Sequence, residues 1–427
     1  MITYPFPPNS SAGAMRSERF ARYLPGFGWA VDVVTIKPRQ DMFKDTELLA
    51  KLGENVRVNF TRTLDPWLWL KDKNPKNSLL RGIRSVLMRL FAFPDHMLLW
   101  VPFAVQAGLK VFRQNRIDAI YTTSPPHSTH LAGLIVSRLM GKPWVADFRD
   151  PWTLNAYREK GAIEGFLRRL EKMMEQAVLK NASLVLANTK ANQQNLTKAF
   201  PFLNEEKVIH LPNGWEGFPA EYYQERKKDG ALTIVHAGNF YPKFKPYGLL
   251  YALAAWRNGD KPPNIPRLKS GDIKIILLGA RDEETARVIK ELNISDLVEI
   301  HPWVALDEAR KIMCQADLLW ASLGTGKESS TYIPSKLFEY IAAKRPIMGF
   351  FPEGEAERFI KETGTGIVFC NNEVERVLMF LHEMAASSRA EENQGWYHPV
   401  RQVIDAYNIS TISSRLAKVL NNISRHQ

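Results

Sequence analysis

Short apolar runs rich in β-branched residues alternate along this chain with longer stretches whose apolar positions recur every three or four residues. That alternation predicts βαβ units and parallel sheets. In the first half it predicts strands over 30–36, 56–60, 119–122, 144–147, 184–187 and 207–210, with helices over 15–24, 130–140 and 165–181. The second half restarts the pattern, with strands over 232–237, 273–278, 298–301, 318–321, 346–350 and 366–369. Residues 396–420 then read as largely helical. Between the halves, Pro212-Asn213-Gly214 and the charged stretch 225–230 carry turn and linker chemistry. The expectation is an α/β protein with one doubly wound domain over 1–212, a second over 213–395 facing it, and a helical segment over 396–427. Only 1–4 precede the first proline turn, so the first strand is short and the natural start is expected a few residues upstream.

The length of 427 residues suits two domains of roughly 200 each. A 45% hydrophobic and 24% charged composition is that of a globular protein. Residues 1–10 hold three prolines and no signal-peptide pattern, and no apolar run reaches the ~18 residues of a membrane span. A cytoplasmic protein is expected. Cys314 and Cys370 offer neither a disulfide framework nor zinc spacing and read as buried free thiols.

A net charge of +12 favours an anionic partner: nucleic acid, an acidic membrane or a phosphorylated substrate. No nucleic-acid reading motif or aromatic platform accompanies it, so nucleic acid is not expected. The stretch 67–116 sets Trp67, Trp69, Phe91, Phe93 and Trp100 among lysines and arginines, and 81–93 reads as an amphipathic helix with a basic face. Such a helix can sit on an anionic inner membrane face. Equally, the aromatics can fill the core while the charges are solvated.

Five segments carry candidate chemistry. The loop 2–13 leads from a strand into a helix, where Gly13 lets backbone approach a phosphate and Arg16, in the first helical turn, adds charge. Ser124–His130 also joins strand to helix; His127 and His130 can bond sugar hydroxyls or move a proton, and equally suit a cap or packing role. Asp147, Arg149 and Asp150 end the next strand and read as a polar lip with an internal Asp–Arg pair, not as a metal site. In the second half, a strand ends at Gly238-Asn239 before a loop with Lys243 and Lys245, either diphosphate ligands or solvated lysines. Thr331, Tyr332 and Ile333 lead into Pro334 in the first turn of a helix carrying Lys336 and Glu339. A carboxylate there can hold a ribose, or simply face solvent.

Taken together, these segments resemble the retaining glycosyltransferases of family four, closest to bacterial members that build O-antigen, capsule or exopolysaccharide. The resemblance implies the GT-B architecture, with the terminal helix crossing back to the first domain. It implies a nucleotide-diphosphate sugar as donor, a glycan or lipid-linked acceptor, no cofactor and no metal. Gly13 matches the family's phosphate-approaching glycine and Gly238 the glycine ending the first strand of the donor domain, while Asn239 stands where members carry an arginine, leaving the diphosphate to Lys243 or Lys245 with Lys336 in reserve. Glu339 matches the second glutamate of the Glu-x-seven-Glu motif; Thr331 replaces the first, with Glu328 a possible substitute. The implied chemistry is front-face displacement, the departing diphosphate oxygen helping to deprotonate the acceptor. A nucleotide-sugar epimerase and a non-catalytic sugar-nucleotide-binding component are the alternatives.

Overall fold

A computed structural model describes residues 1–9, 11–38, 47–64, 93–155, 164–223, 230–240, 246–267, 269, 271–280, 282–302, 304–324, 326–370, 372–386 and 395–425. The chain forms two compact units, Met1–Asn213 with Ile409–Gln427, and Gly214–Asn408.

The first unit runs α1 (Ala12–Tyr23), β1 (Val31–Ile36), α2 (Glu47–Ala50), β2 (Val56–Thr61), α3 (Val101–Gln114), β3 (Ile120–Ser124), α4 (Ser128–Met140), β4 (Trp144–Phe148), α5 (Glu164–Asn181), β5 (Leu184–Ala187), α6 (Lys190–Ala199) and β6 (Val208–His210). Every described strand pairing is parallel: β1 with β2, and β3-β4-β5-β6 in order. Ile2 bridges both Val34 and Thr122, so the chain start lies between β1 and β3 as an abbreviated strand. The sheet thus reverses its strand order beside Ile2. In open α/β sheets the ligand crevice lies at such a point, outside the carboxyl ends of the strands. Helices cover both faces, which is why β1, β3 and β4 are buried throughout, their polar residues Asp32, Thr122, Thr123 and Asp147 included. Close packing of α4 on the sheet needs Gly133, where a Cβ would lie 2.5 Å from Thr122 and 2.9 Å from Trp144.

The second unit runs β7 (Leu232–Ala237), α7 (Gly248–Asn258), β8 (Ile273–Leu278), α8 (Glu283–Glu291), β9 (Val298–His301), α9 (Leu306–Gln315), β10 (Leu318–Ser322), α10 (Lys336–Ala343), β11 (Ile347–Phe350), α11 (Glu355–Thr363), β12 (Gly366–Phe369), α12 (Val374–Ala386) and α13 (Arg401–Ala406). Its parallel sheet has the order β12-β11-β10-β7-β8-β9, reversing between β7 and β10. Helix α14 (Ile409–Arg425) then belongs to the first unit, burying Ile412, Leu416 and Leu420 with Phe20 and Val33. Among the described residues no helix is long and apolar enough to cross a membrane.

Three sequence expectations change. Cys370 is exposed, because it follows β12 in a turn where its N–H donates to Glu373, while Cys314 is buried as expected. Pro334 precedes α10, its carbonyl accepting from Leu337 N, and the helix proper begins at Lys336. Of the aromatic-basic stretch, 65–92 lies outside the described residues. Trp100 is fully buried, donating from Nε1 to Thr61 Oγ1 at 2.7 Å, and Phe93 is buried too, so both serve the core.

Candidate functional site

In the second unit the carboxyl ends of β7 and β10 and the start of α10 converge. His236, buried near the end of β7, has its Nδ1 2.9 Å from the carbonyl oxygen of Trp320 on β10. A carbonyl only accepts, so Nδ1 carries the proton and Nε2 is left as an acceptor. Lys336 donates to it, its Nζ lying 3.0 Å from His236 Nε2. Burial, then the neighbouring amine, hold His236 well below its usual range, so it is a neutral prop. Lys336 is half-buried, and burial lowers its amine to about 7. Gly238 follows at φ 99°, a left-handed conformation that glycine adopts without strain, and Lys336 Nζ lies 3.6 Å from where a Cβ would be.

Glu339, one turn further along α10, pairs with Arg310 of α9 at 3.4 Å. Arg310 also reaches Asp307 and lies over the Phe218 ring, 5.0 Å from its centroid. Glu339 therefore stands on a fixed support while keeping some exposure. Thr331 ends a short 3-10 turn, Lys327–Thr331, followed by Tyr332 and the buried Ile333. Asn239 and Glu328 are exposed. Lys243 and Lys245 lie outside the described residues. Sequence reasoning missed His236 and Arg310; a histidine inside the apolar run 232–237 was the available signal for the first.

In the first unit the loops after Ile2, β3 and β4 meet. A Cβ on Gly13 would lie 3.1 Å from Arg149 Nη1 and 3.3 Å from Pro5, so the glycine admits the arginine. His127 stacks on Trp152, ring centroids 5.1 Å apart and planes at 4°. Asp95 accepts from Ser128 N at 2.8 Å and so caps α4, a partner that no local pattern revealed.

Several expected roles change here. Arg16 lies in the second turn of α1 and is buried, not offered to a phosphate. All five of its N–H groups are used. Nε and Nη2 donate to Asp147 at 2.7 and 3.0 Å, Nη2 to Leu211 O at 2.9 Å, and Nη1 to Pro212 O and Asn213 Oδ1 at 2.9 and 3.0 Å. Asp147 is fully buried and also accepts from Tyr121 and Thr123, so it is a structural anchor and its partner is not Arg149. The expected internal Asp–Arg pair of the lip is Arg149 with Asp150, at 3.0 Å. His130 is fully buried against Thr122 and Phe148, and burial lowers it to about 3; it packs the core and stays neutral.

Beneath this lip, Glu175 of α5 accepts from Thr153 N at 3.3 Å and from the Thr153 hydroxyl. Burial, reinforced by the charge of Glu171, raises it from 4.5 to about 7. The folded state therefore holds this proton more tightly than the unfolded chain. Stability from this group is fully present below pH 4.5 and is lost as pH rises to about 7. We expect Glu175→Gln to stabilise the protein by on the order of 3 kcal/mol at pH 8 and negligibly at pH 4. Urea unfolding at the two pH values checks this, and an equal difference at both would contradict it.

The geometry can be set beside known proteins. Residues 12–214 match the protein-family model of the glycosyl transferase 4-like domain. No curated protein matches the chain in sequence. Among solved structures it is similar over 99% of both chains to HepE of Anabaena in complex with UDP and glucose, at TM-score 0.65 and 16% identity. It is also similar to sucrose-phosphate synthase from Thermosynechococcus elongatus, over 100% of this chain and 99% of that one, at TM-score 0.66 and 13% identity. A third is WaaG, a glycosyltransferase involved in lipopolysaccharide biosynthesis, with TM-score 0.61, 13% identity, and 98% and 99% coverage. The fold is accordingly GT-B, two Rossmann-like domains built on parallel sheets.

Proposed function

We propose that this protein is a retaining, metal-independent glycosyltransferase that moves a sugar from a nucleotide-diphosphate donor to a hydroxyl of a glycan or lipid-linked acceptor in cell-surface polysaccharide synthesis. The observation that carries the reading is the Lys336 amine. It rests on a neutral histidine at the strand-order reversal of the second unit, beside Gly238 and at the start of α10. An ammonium in that place is paired by a diphosphate, and the first N–H groups of α10 favour the same anion. The match of 12–214 to glycosyl transferase 4-like domains and the GT-B fold support the reaction class.

In the proposed site Glu339, steadied by Arg310, accepts hydrogen bonds from the donor ribose. The acceptor oxygen bonds to the anomeric carbon as that carbon's bond to the diphosphate oxygen breaks. The acceptor proton passes to the departing oxygen. Lys336 and the helix-end amides stabilise the negative charge gathering on that leaving group, the kind of electrostatic contribution that commonly dominates transfer. His127, stacked on Trp152, and Arg149 line the loops assigned to the acceptor. His130 and Asp147 drop out of the chemistry because both are fully buried and committed to structural partners.

The reading predicts that transfer, followed as donor-dependent labelling of acceptor, persists at full rate with excess chelator. Loss of turnover that magnesium or manganese restores would assign leaving-group stabilisation to an ion.

A further inference from the structure

Helix α5 divides its residues unusually by charge. Glu171 and Glu175 share the inward face with Val178 and Leu179, all fully buried. The outward stripe carries Phe166, Arg169, Met173 and Lys180, at helical spacings of three, seven and fourteen residues, with the exposed Lys172 beside it. Phe166 is 76% and Met173 64% exposed. The adjoining α4 adds Ile135 and Leu139, one turn apart and 40% and 59% exposed. Arg138, between them, donates to Asn181 Oδ1 at 3.0 and 3.1 Å and ties the ends of the two helices together. Among the described side chains of α4 and α5, no carboxylate is exposed.

We propose that this α4–α5 face docks on an anionic lipid surface, with Phe166 and Met173 entering the interface and Arg169, Lys172 and Lys180 meeting lipid phosphates. Large apolar side chains interleaved with cations are what an interfacial helix uses, since apolar burial and attraction to anionic headgroups add. An acidic protein would also meet the cations. Phe166 and Met173 each project separately between cations, and separated apolar tips suit a deformable headgroup layer better than a rigid partner. Because α5 follows β4, its first turn with Phe166 starts from the carboxyl edge of the sheet, the edge that bears the loops of Ser124 and Arg149. A hydroxyl carried by a membrane lipid would reach those loops from this side. The docking does not rest on the sugar-transfer reading and has a test of its own.

The test is sedimentation of the full chain with phosphatidylcholine vesicles, with and without phosphatidylglycerol. The protein should bind the anionic vesicles only. Each interfacial cation changes partitioning by about fivefold, so the triple variant Arg169→Gln, Lys172→Gln, Lys180→Gln should bind about a hundredfold more weakly. Phe166→Ser with Met173→Ser should also release it, while circular dichroism and thermal midpoint stay at wild-type values because these side chains are exposed. Three results overturn the proposal: wild type left in the supernatant, equal binding to neutral vesicles, or retained binding in the α5 variants while glutamines at Arg81, Arg84 and Arg89 abolish it. A wild-type oligomer that the α5 variants dissociate, without vesicle binding, would assign the face to a second copy instead. None of these readouts depends on donor binding.

Discussion

Replacing Lys336 with methionine weakens binding of the nucleotide-sugar donor by about 1.5–3 kcal/mol, the range for a lost hydrogen bond to a charged group. Methionine keeps the length and apolar packing of the stem, so the change isolates the amine. The pH dependence is more diagnostic. Burial places the free amine near 7, and a bound diphosphate raises it by favouring the charged form. Affinity of the wild type is therefore fully present below about pH 7 and falls about tenfold per unit as pH rises above it, until the amine of the complex also loses its proton. A nucleotide sugar keeps its diphosphate charge across this range, so the slope belongs to the protein. His236 stays neutral throughout, so it adds no slope of its own. Calorimetric titration from pH 6 to about 9 should give a sloping wild type and a flat Lys336→Met. Parallel slopes in both would move the diphosphate to another cation, with Lys243 and Lys245 the first to examine.

Asp147→Ala destabilises the first unit by about 3–5 kcal/mol, the cost of leaving a buried charge unpaired. Arg16 would keep its three acceptors at Leu211, Pro212 and Asn213 but lose the carboxylate it pairs with. Tyr121 and Thr123 would lose an acceptor as well. In a unit of this size the midpoint of thermal unfolding should fall by roughly 6–20 °C. Combining Arg16→Met with Asp147→Leu should recover most of that loss, since a buried pair replaced by apolar groups is often close to neutral. Asp147→Asn separates structure from chemistry, because the amide still accepts one arginine bond. If that variant folds with near wild-type stability yet transfers no sugar, Asp147 belongs to the reaction and its structural assignment fails.

The strands were legible because parallel strands covered on both faces are continuous apolar runs. β5, β7, β8, β9 and β12 fall where the apolar pattern places them, and β1, β3 and β10 begin or end within two residues of it. The first strand could be seen only as an anomaly: Ile2 supplies a single bridge on each side. Site pairings were opaque for a different reason. Arg16 meets Asp147 across 131 residues, and Lys336 meets His236 across 100. Local periodicity reports which face a residue occupies, not which distant face it touches. A partial signal existed in polar residues set inside apolar strand runs. Asp147 and His236 both have that property, and both are hubs of buried polar contacts. By contrast, Arg16 and His130 sit on helix faces whose pattern admits solvent or core equally, and their burial emerged only with the fold.

The central claim is that the reversal point between β7 and β10 binds a nucleotide-diphosphate sugar through Lys336. It is tested most directly by thermal unfolding of wild type and Lys336→Met against a panel of uridine, guanosine, adenosine and thymidine diphosphate sugars, each with chelator present. The account predicts that at least one sugar nucleotide raises the wild-type midpoint by several degrees and leaves that of Lys336→Met nearly unmoved. No stabilisation by any of them, or equal stabilisation of both proteins, would contradict it.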